Sequence, residues 1–188
     1  MKTLRKLPDV DELILSGGDP LTLADRRLAD LIGEAEQMPH LRRLRIHTRL
    51  PVVLPNRVTP QLCELLGRSR LQTVMVLHAN HPHEVTDALA KSIAALRAAG
   101  VTMLNQSVLL KSVNDDADTL VTLSDTLFAA GALPYYLHLL DPVAGAAHFD
   151  VPAARARELL MALQARLPGY LVPRMVREVE GAASKTPI

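Results

Sequence analysis

Residues 12–35 read ELILSGGDPLTLADRRLADLIGEA, and this stretch decides the fold. It opens on a short apolar run, Glu12–Leu15, and turns through Ser16-Gly17-Gly18-Asp19-Pro20. After Thr22 it places Leu28, Leu31, Ile32 and Ala35 on one helical face. The run is too short to be a helix and is bounded by breakers, so it predicts a strand. Strand, polar loop, amphipathic helix is the unit.

The unit recurs along the chain. Further short apolar runs lie at Leu44–His47, Thr73–His78, Met103–Leu110 and Tyr135–Leu140. Helical patterns separate them. Thr59 precedes Pro60 as a helix cap before a first-turn proline, with Leu62, Leu65 and Leu66 behind. Thr86 to Ala99 repeats Leu89, Ile93 and Leu96 ahead of Gly100, a helix stop. Asp115 to Ala130 ends at Gly131, and Pro152 to Leu167 ends at Pro168-Gly169. Five such cycles and a last extended piece, Tyr170–Val179, predict an α/β protein of right-handed βαβ units on a parallel sheet. The near-continuous apolar strands predict a sheet covered by helices. Periodicity leaves a doubly wound sheet and a barrel segment as alternatives. No low-complexity linker divides the chain.

Composition narrows the function. The 188 residues are 48% hydrophobic and 22% charged, as in a globular protein rather than a disordered one. Lys plus Arg (21) nearly cancels Asp plus Glu (20), which argues against a nucleic-acid partner. No apolar run is long enough to span a bilayer and the first residues lack a signal peptide's apolar stretch, so the expected location is cytoplasmic, with no membrane partner. The single cysteine, Cys63, excludes an internal disulfide and cannot by itself ligate an iron–sulfur cluster.

In parallel α/β folds, chemistry sits just beyond the carboxyl ends of the strands. Those positions hold Ser16-Gly17-Gly18-Asp19, His47-Thr48-Arg49, His78-Ala79-Asn80-His81-Pro82, Asn105-Gln106-Ser107 and Asp141-Pro142. Polar groups gathered at one end of every strand predict an active-site rim. The two glycines let backbone approach a ligand, and Asp19 offers an acceptor for an amine or hydroxyl; a tight turn before a helix needs the same residues. His78, His81 and His83 have spacing suited to zinc, but Pro82 stiffens the loop and no cysteine completes a set. A ligand-facing His78 and a loop-capping Asn80 are the preferred reading, with no metal. Cys63 beside Leu62 and Leu65 reads as a buried, inert thiol. Lys185, one of only five lysines, lies in the small-residue loop Gly181-Ala-Ala-Ser-Lys-Thr-Pro. There it suits a Schiff base, or is a solvated terminal lysine. Asp141 and Glu178 either bind a substrate ammonium or pair with Arg174 and Arg177.

Several longer segments carry a resemblance. They are Ile14-Leu-Ser-Gly-Gly-Asp-Pro-Leu, Arg45-Ile-His-Thr-Arg-Leu-Pro-Val-Val-Leu-Pro-Asn-Arg-Val-Thr, His78-Ala-Asn-His-Pro-His-Glu, Asn105-Gln-Ser-Val-Leu-Leu-Lys, Pro134-Tyr-Tyr-Leu-His-Leu-Leu-Asp-Pro-Val-Ala-Gly-Ala-Ala-His-Phe and Ser184-Lys-Thr-Pro. Together they resemble the lysine 2,3-aminomutases, isomerases that use S-adenosylmethionine radical chemistry and pyridoxal phosphate. The Asp141–Phe149 run and Leu171-Val-Pro-Arg-Met-Val-Arg-Glu most resemble the branch that makes (R)-β-lysine for modifying elongation factor P. The resemblance implies a partial (βα)6 radical-SAM-type barrel, TIM-like. Residues 1–169 would supply strands 2 to 6 of the family fold, and 170–188 a C-terminal segment carrying the cofactor lysine.

The resemblance also implies roles. Ser16, Gly17, Gly18 and Asp19, with Arg49, His78 and Gln106, would hold S-adenosylmethionine. Lys185 would carry pyridoxal phosphate, and Asp141 and Glu178 would bind the ε-ammonium of L-lysine. Glu178 stands where the free-lysine enzymes have the shorter Asp, and Ser112 where the family usually has glycine. The family's C-x-x-x-C-x-x-C motif for a [4Fe–4S] cluster is absent, as is the arginine for the substrate carboxylate. The chain therefore reads as the C-terminal part of an aminomutase, expected to be inactive alone. Its expected partners are the missing N-terminal portion or a second copy, with elongation factor P served indirectly. The contrasting reading is a non-catalytic ligand-binding or interaction module derived from that fold.

Overall fold

A computed structural model describes residues 3–141, 144–179, 181–182 and 184–188. Pro142, expected at the strand-end rim, and Ala183, in the small-residue loop, lie outside the described residues. The element order is β1 (Glu12–Leu15), α1 (Asp25–Glu36), β2 (Arg43–Thr48), α2 (Leu50–Val53), α3 (Pro60–Gly67), β3 (Gln72–Leu77), α4 (Asp87–Ala98), β4 (Thr102–Leu109), α5 (Ala117–Ala130), β5 (Leu133–Leu139), α6 (Ala153–Arg166), β6 (Arg174–Arg177) and β7 (Thr186–Pro187). This is the expected α/β class, five strand–helix units followed by a short strand pair. Packing divides the chain into two compact units, Met1–Leu77 with Asp87–Met103, and His78–Thr86 with Leu104–Ile188. Residues 170–188 fall within the second of these units.

In the first unit, β1 pairs with β2 in parallel, Glu12 opposite Arg43, and β2 pairs with β3, Arg43 opposite Gln72. Along β2 burial alternates: Leu44, Ile46 and Thr48 are buried, while Arg43, Arg45 and His47 are partly exposed. The expected near-continuous apolar strand is therefore replaced here by a two-faced one. The arginines of the polar face are neutralised by their neighbours, Arg43 meeting Asp11 at 2.6 Å and Arg45 meeting Glu12 at 2.5 Å. Thr59 caps α3 as expected, its hydroxyl accepting from the Leu62 N–H at 3.1 Å. Gly67 is required where α3 ends, because a Cβ there would lie 2.8 Å from the Ala99 carbonyl oxygen. Thr22 does not open α1. It closes a 3-10 turn, Pro20–Thr22, that Asp19 caps, and the helix begins at Asp25.

In the second unit β4, β5 and β6 run parallel and β7 closes antiparallel on β6. A register shift at Asn105/Gln106 sets Gln106 opposite Tyr136 and Val108 opposite His138. Asp116 caps α5 by accepting from the Thr119 N–H at 2.8 Å, and Gly131 ends that helix with φ of 96°. Leu109, Leu137, Leu139 and Met175 of the strands pack with Leu120 of α5 and with Leu159 and Leu163 of α6. Because side chains alternate along a strand, this packing puts Tyr136 and His138 on the opposite face of β5. Among the described residues no helix is long and apolar enough to cross a membrane.

Candidate active site

The first unit presents the Ser16–Asp19 loop beyond β1. Asp19 is fully engaged: Oδ1 accepts from the Leu21 N–H (3.0 Å) and the Thr48 hydroxyl (2.7 Å), and Oδ2 from the N–H groups of Arg49 (2.7 Å) and Leu50 (3.1 Å). Four donors fill a carboxylate's acceptor capacity. Asp19 therefore ties the loop after β1 to the start of α2 and brings the Arg49 backbone against it. The surface this leaves is Ser16, Gly17 and Gly18, all exposed. Gly17 takes φ of 99°, and nothing lies within 4 Å of where a Cβ would stand at either glycine, so a ligand can approach the backbone.

The second unit begins with the His78–Glu84 loop, and hydrogen bonds decide its histidines. Glu84 accepts from the N–H groups of Asn80 (2.6 Å) and His81 (3.1 Å), while His81 Nδ1 accepts from the His83 N–H at 3.2 Å. This is a capping box. Asn80 caps the loop as expected, its side-chain oxygen accepting from the Val108 N–H at 2.9 Å. Asn105 brackets Ala79, donating to its carbonyl at 3.0 Å and accepting from its N–H at 2.9 Å. Among the described residues no group of three or more His, Cys, Asp or Glu side chains gathers to hold a metal. Gln106 Oε1 is buried without a hydrogen-bond partner among the described residues, an acceptor left for a ligand.

The second unit also assembles the groups expected to meet an amine. Lys185 forms an ion pair with Glu178, rather than leaving that acid to Arg174 or Arg177, and its Nζ lies 5.5 Å from the centre of the Tyr136 ring. The hydrogen bond from Lys185, reinforced by its charge, holds the Glu178 carboxyl below the usual range. His138 is 7% exposed, and its ring meets that of Tyr136 edge-on with centroids 5.5 Å apart. Burial pushes the His138 imidazole down. The charge of Lys185 adds to this, Glu178 and Asp141 oppose it, and His78 contributes a little downward. His138 Nε2 is buried with no hydrogen-bond partner among the described residues. Lys185 and Glu178 thus pair beside Tyr136, whose ring meets the buried His138. The sequence reading gave Tyr136 and His138 no role; the alternation along β5 was the signal that could have found them.

The cofactors implied by the resemblance fit unequally. Lys185 lines a groove of about 490 Å³ together with Tyr136, Arg174, Val172 and Gln164, a volume suited to a small cofactor. In the first unit, the open glycine loop suits the approach of S-adenosylmethionine to the backbone. An iron–sulfur cluster does not fit: Cys63 is the single cysteine in the sequence, partly buried on α3, and burial pushes its thiol up, away from the thiolate a metal needs.

No family model matches the chain. It is 55% identical over 178 residues to an L-lysine 2,3-aminomutase of Haemophilus influenzae, covering 95% of this chain and 53% of that protein. The protein of the same description from Escherichia coli is 52% identical over 96% of this chain and 53% of its own length. That from Clostridium subterminale is 36% identical over 98% of this chain and 44% of its own. The chain thus spans about half the length of the curated relatives it matches. Among solved structures it resembles a radical SAM methyltransferase from Sphaerobacter thermophilus, with TM-score 0.65, 16% identity, and 97% of this chain on 56% of that one. A domain of a pyruvate-formate lyase-activating enzyme from Bacteroides vulgatus gives TM-score 0.60 and 14% identity, covering 89% of this chain and 98% of that domain. These likenesses confirm the fold.

Proposed function

Because this chain belongs to the L-lysine 2,3-aminomutase family as a stretch about half the length of its relatives, we propose that it forms the cofactor-lysine portion of such an isomerase. In this reading it acts on L-lysine, yields β-lysine, and carries pyridoxal phosphate on Lys185. The carrying observation is the placement of Lys185: a lysine on the rim of a groove, paired with Glu178 and facing Tyr136. Asp141 and Glu178 would fix the distal ammonium of lysine, so that the amino group that moves is the one beside the carboxylate. For S-adenosylmethionine the first unit offers Ser16, Gly17, Gly18 and the Arg49 side chain, with Asp19 holding the loop. The second unit offers His78 and Gln106. Pyridoxal phosphate and S-adenosylmethionine supply the radical and carbonyl chemistry when bound, while the protein positions them and excludes water. No step is assigned to an iron–sulfur cluster here, since one cysteine cannot hold it.

The segments at 141–149 and 171–178 further support the branch that supplies (R)-β-lysine to elongation factor P, in the cytoplasm. Reduction with borohydride in the presence of pyridoxal phosphate, followed by peptide mapping, tests the lysine. The label is expected within Gly181–Ile188, at Lys185; label at Lys111 or Lys91 overturns the reading. A second reading, a ligand-binding module without catalysis, is favoured by the lone Cys63. In that case pyridoxal phosphate binds, and supplying the N-terminal portion of a relative restores no β-lysine formation.

A further inference from the structure

The sheet of the second unit carries a cation without a counter-ion. Arg174 on β6 stands beside Tyr136 on β5 in the parallel register, so the two side chains leave the sheet on one face. That face is opposite the one on which Leu137 and Met175 pack with the helices. Arg174 and Tyr136 both line the groove of about 490 Å³ that Lys185 also lines. Arg174 is exposed, and among the described residues no carboxylate pairs with it, because Glu178 is held by Lys185. An unpaired guanidinium on a concave wall is a planar fork for an oxyanion.

A second tyrosine primes the first. The register shift at Asn105/Gln106 leaves Tyr135 as an extra residue on β5, with Pro134 opposite Asn105 and Tyr136 opposite Gln106. Consecutive strand residues ordinarily point to opposite faces, but this bulge brings both tyrosine rings together, centroids 3.9 Å apart. The Tyr135 hydroxyl donates to the Tyr136 hydroxyl at 3.2 Å. Tyr136 therefore keeps its own proton to give, and a hydroxyl that is already accepting donates more strongly. A phosphate monoester has three acceptor oxygens and close to two negative charges. It can meet the guanidinium fork with two oxygens and the phenol with the third, whereas a carboxylate is used up by the fork. We propose that Arg174 and the Tyr136 hydroxyl form a subsite for a phosphate monoester, the far end of a ligand whose carbonyl end meets Lys185. The inference rests on the reading of Lys185 as the carbonyl-binding lysine and adds to it the place of the cofactor's other end.

The test compares pyridoxal phosphate with pyridoxal, which has the same ring and aldehyde but no phosphate, by absorbance titration. The unsubstituted chain is expected to bind the phosphate form more tightly. Arg174→Gln should weaken pyridoxal phosphate about ten-fold, and Tyr136→Phe, which keeps the ring, by about three- to ten-fold. Both should leave pyridoxal as it was. Arg177→Gln removes another exposed arginine of β6 that does not line the groove, and should change neither titration. An equal loss in Arg177→Gln shows general charge attraction and overturns the subsite. A loss in Arg174→Gln that pyridoxal shares, or no loss at all, overturns it as well. A second measurement needs no carbonyl. Pyridoxamine phosphate, followed by its ³¹P resonance, should bind the Lys185→Ala chain and bind it about ten-fold more weakly once Arg174→Gln is added; equal binding is fatal. Borohydride labelling separates the two ideas. Label at Lys185 with no dependence on Arg174 overturns only this inference. Label elsewhere overturns the underlying reading, and pyridoxamine phosphate still decides the subsite.

Discussion

At the scale of single residues, Ser112 carries a cost that sequence alone hinted at. It takes φ of 62°, the left-handed region, with its N–H donating to Asp115 Oδ1 at 2.8 Å. An L side chain there costs about 1–2 kcal/mol, which gives a physical reason for the glycine that the resemblance leads one to expect at this position. Ser112→Gly is expected to stabilise the chain by about 1 kcal/mol, read as a raised urea midpoint at unchanged slope; an unmoved midpoint contradicts the backbone argument. His138 carries the opposite kind of burden. Its folded imidazole titrates below the ordinary value because burial disfavours the cation. In the interval between the two values the unfolded chain binds more protons, so stability rises with pH. The contribution is fully present above about pH 6.5 and is lost as pH falls through the folded value. Stability measured from pH 8 down to 5 should decline, and His138→Phe should flatten that decline. Lys185 and Glu178 were legible as chemically able residues. Their pairing was not, because it depends on β7 turning back onto β6, a non-local event with no signature in either segment.

At the scale of elements, local signals were read well and distant ones not at all. Thr59 and Gly131 announced their helix ends because a cap acts within one turn of its own residue, whereas the α5 cap is Asp116, one residue beyond the expected start at Asp115. Arg70 gave no such signal, since it caps α1 from 34 positions away. Its guanidinium donates to the carbonyls of Glu36 (2.8 and 2.5 Å), Met38 (2.7 Å) and Leu41 (2.8 Å). These are the orphan acceptors of a helix end and the turn that follows it. Arg70→Ala should cost about 1–2 kcal/mol, seen in a thermal melt. Arg70→Lys should recover less than half, because one ammonium cannot replace a planar fork; full recovery by Lys would show that charge alone matters. The extended piece expected over Tyr170–Val179 is cut by a 3-10 turn, Gly169–Leu171, leaving β6 only Arg174–Arg177. A four-residue strand inside an apolar stretch is beneath what periodicity resolves.

At the scale of the whole molecule, β1 pairs with β2 and with no other strand among the described residues, and Ile14 on it is 45% exposed. An edge of unpaired N–H and C=O groups beside an exposed apolar side chain invites pairing with another chain. The 188-residue chain is expected to self-associate in sedimentation, and Ile14→Lys should reduce this. Co-expression with the N-terminal portion of a relative should relieve it. A monomer with a cooperative melt above about 55 °C, mid-range for mesophilic domains, would show that the edge is adequately protected. The ladders of both units have a consequence for biosynthesis. Within each parallel set a strand bonds to its immediate predecessor in the chain, Arg43 to Glu12, Gln72 to Arg43, Arg174 to Tyr136. Nothing made early in such a set has to wait for a strand made much later. Each unit can therefore condense strand by strand as the polypeptide leaves the ribosome, and a ribosomal pause would leave a shorter ladder rather than a mispaired one.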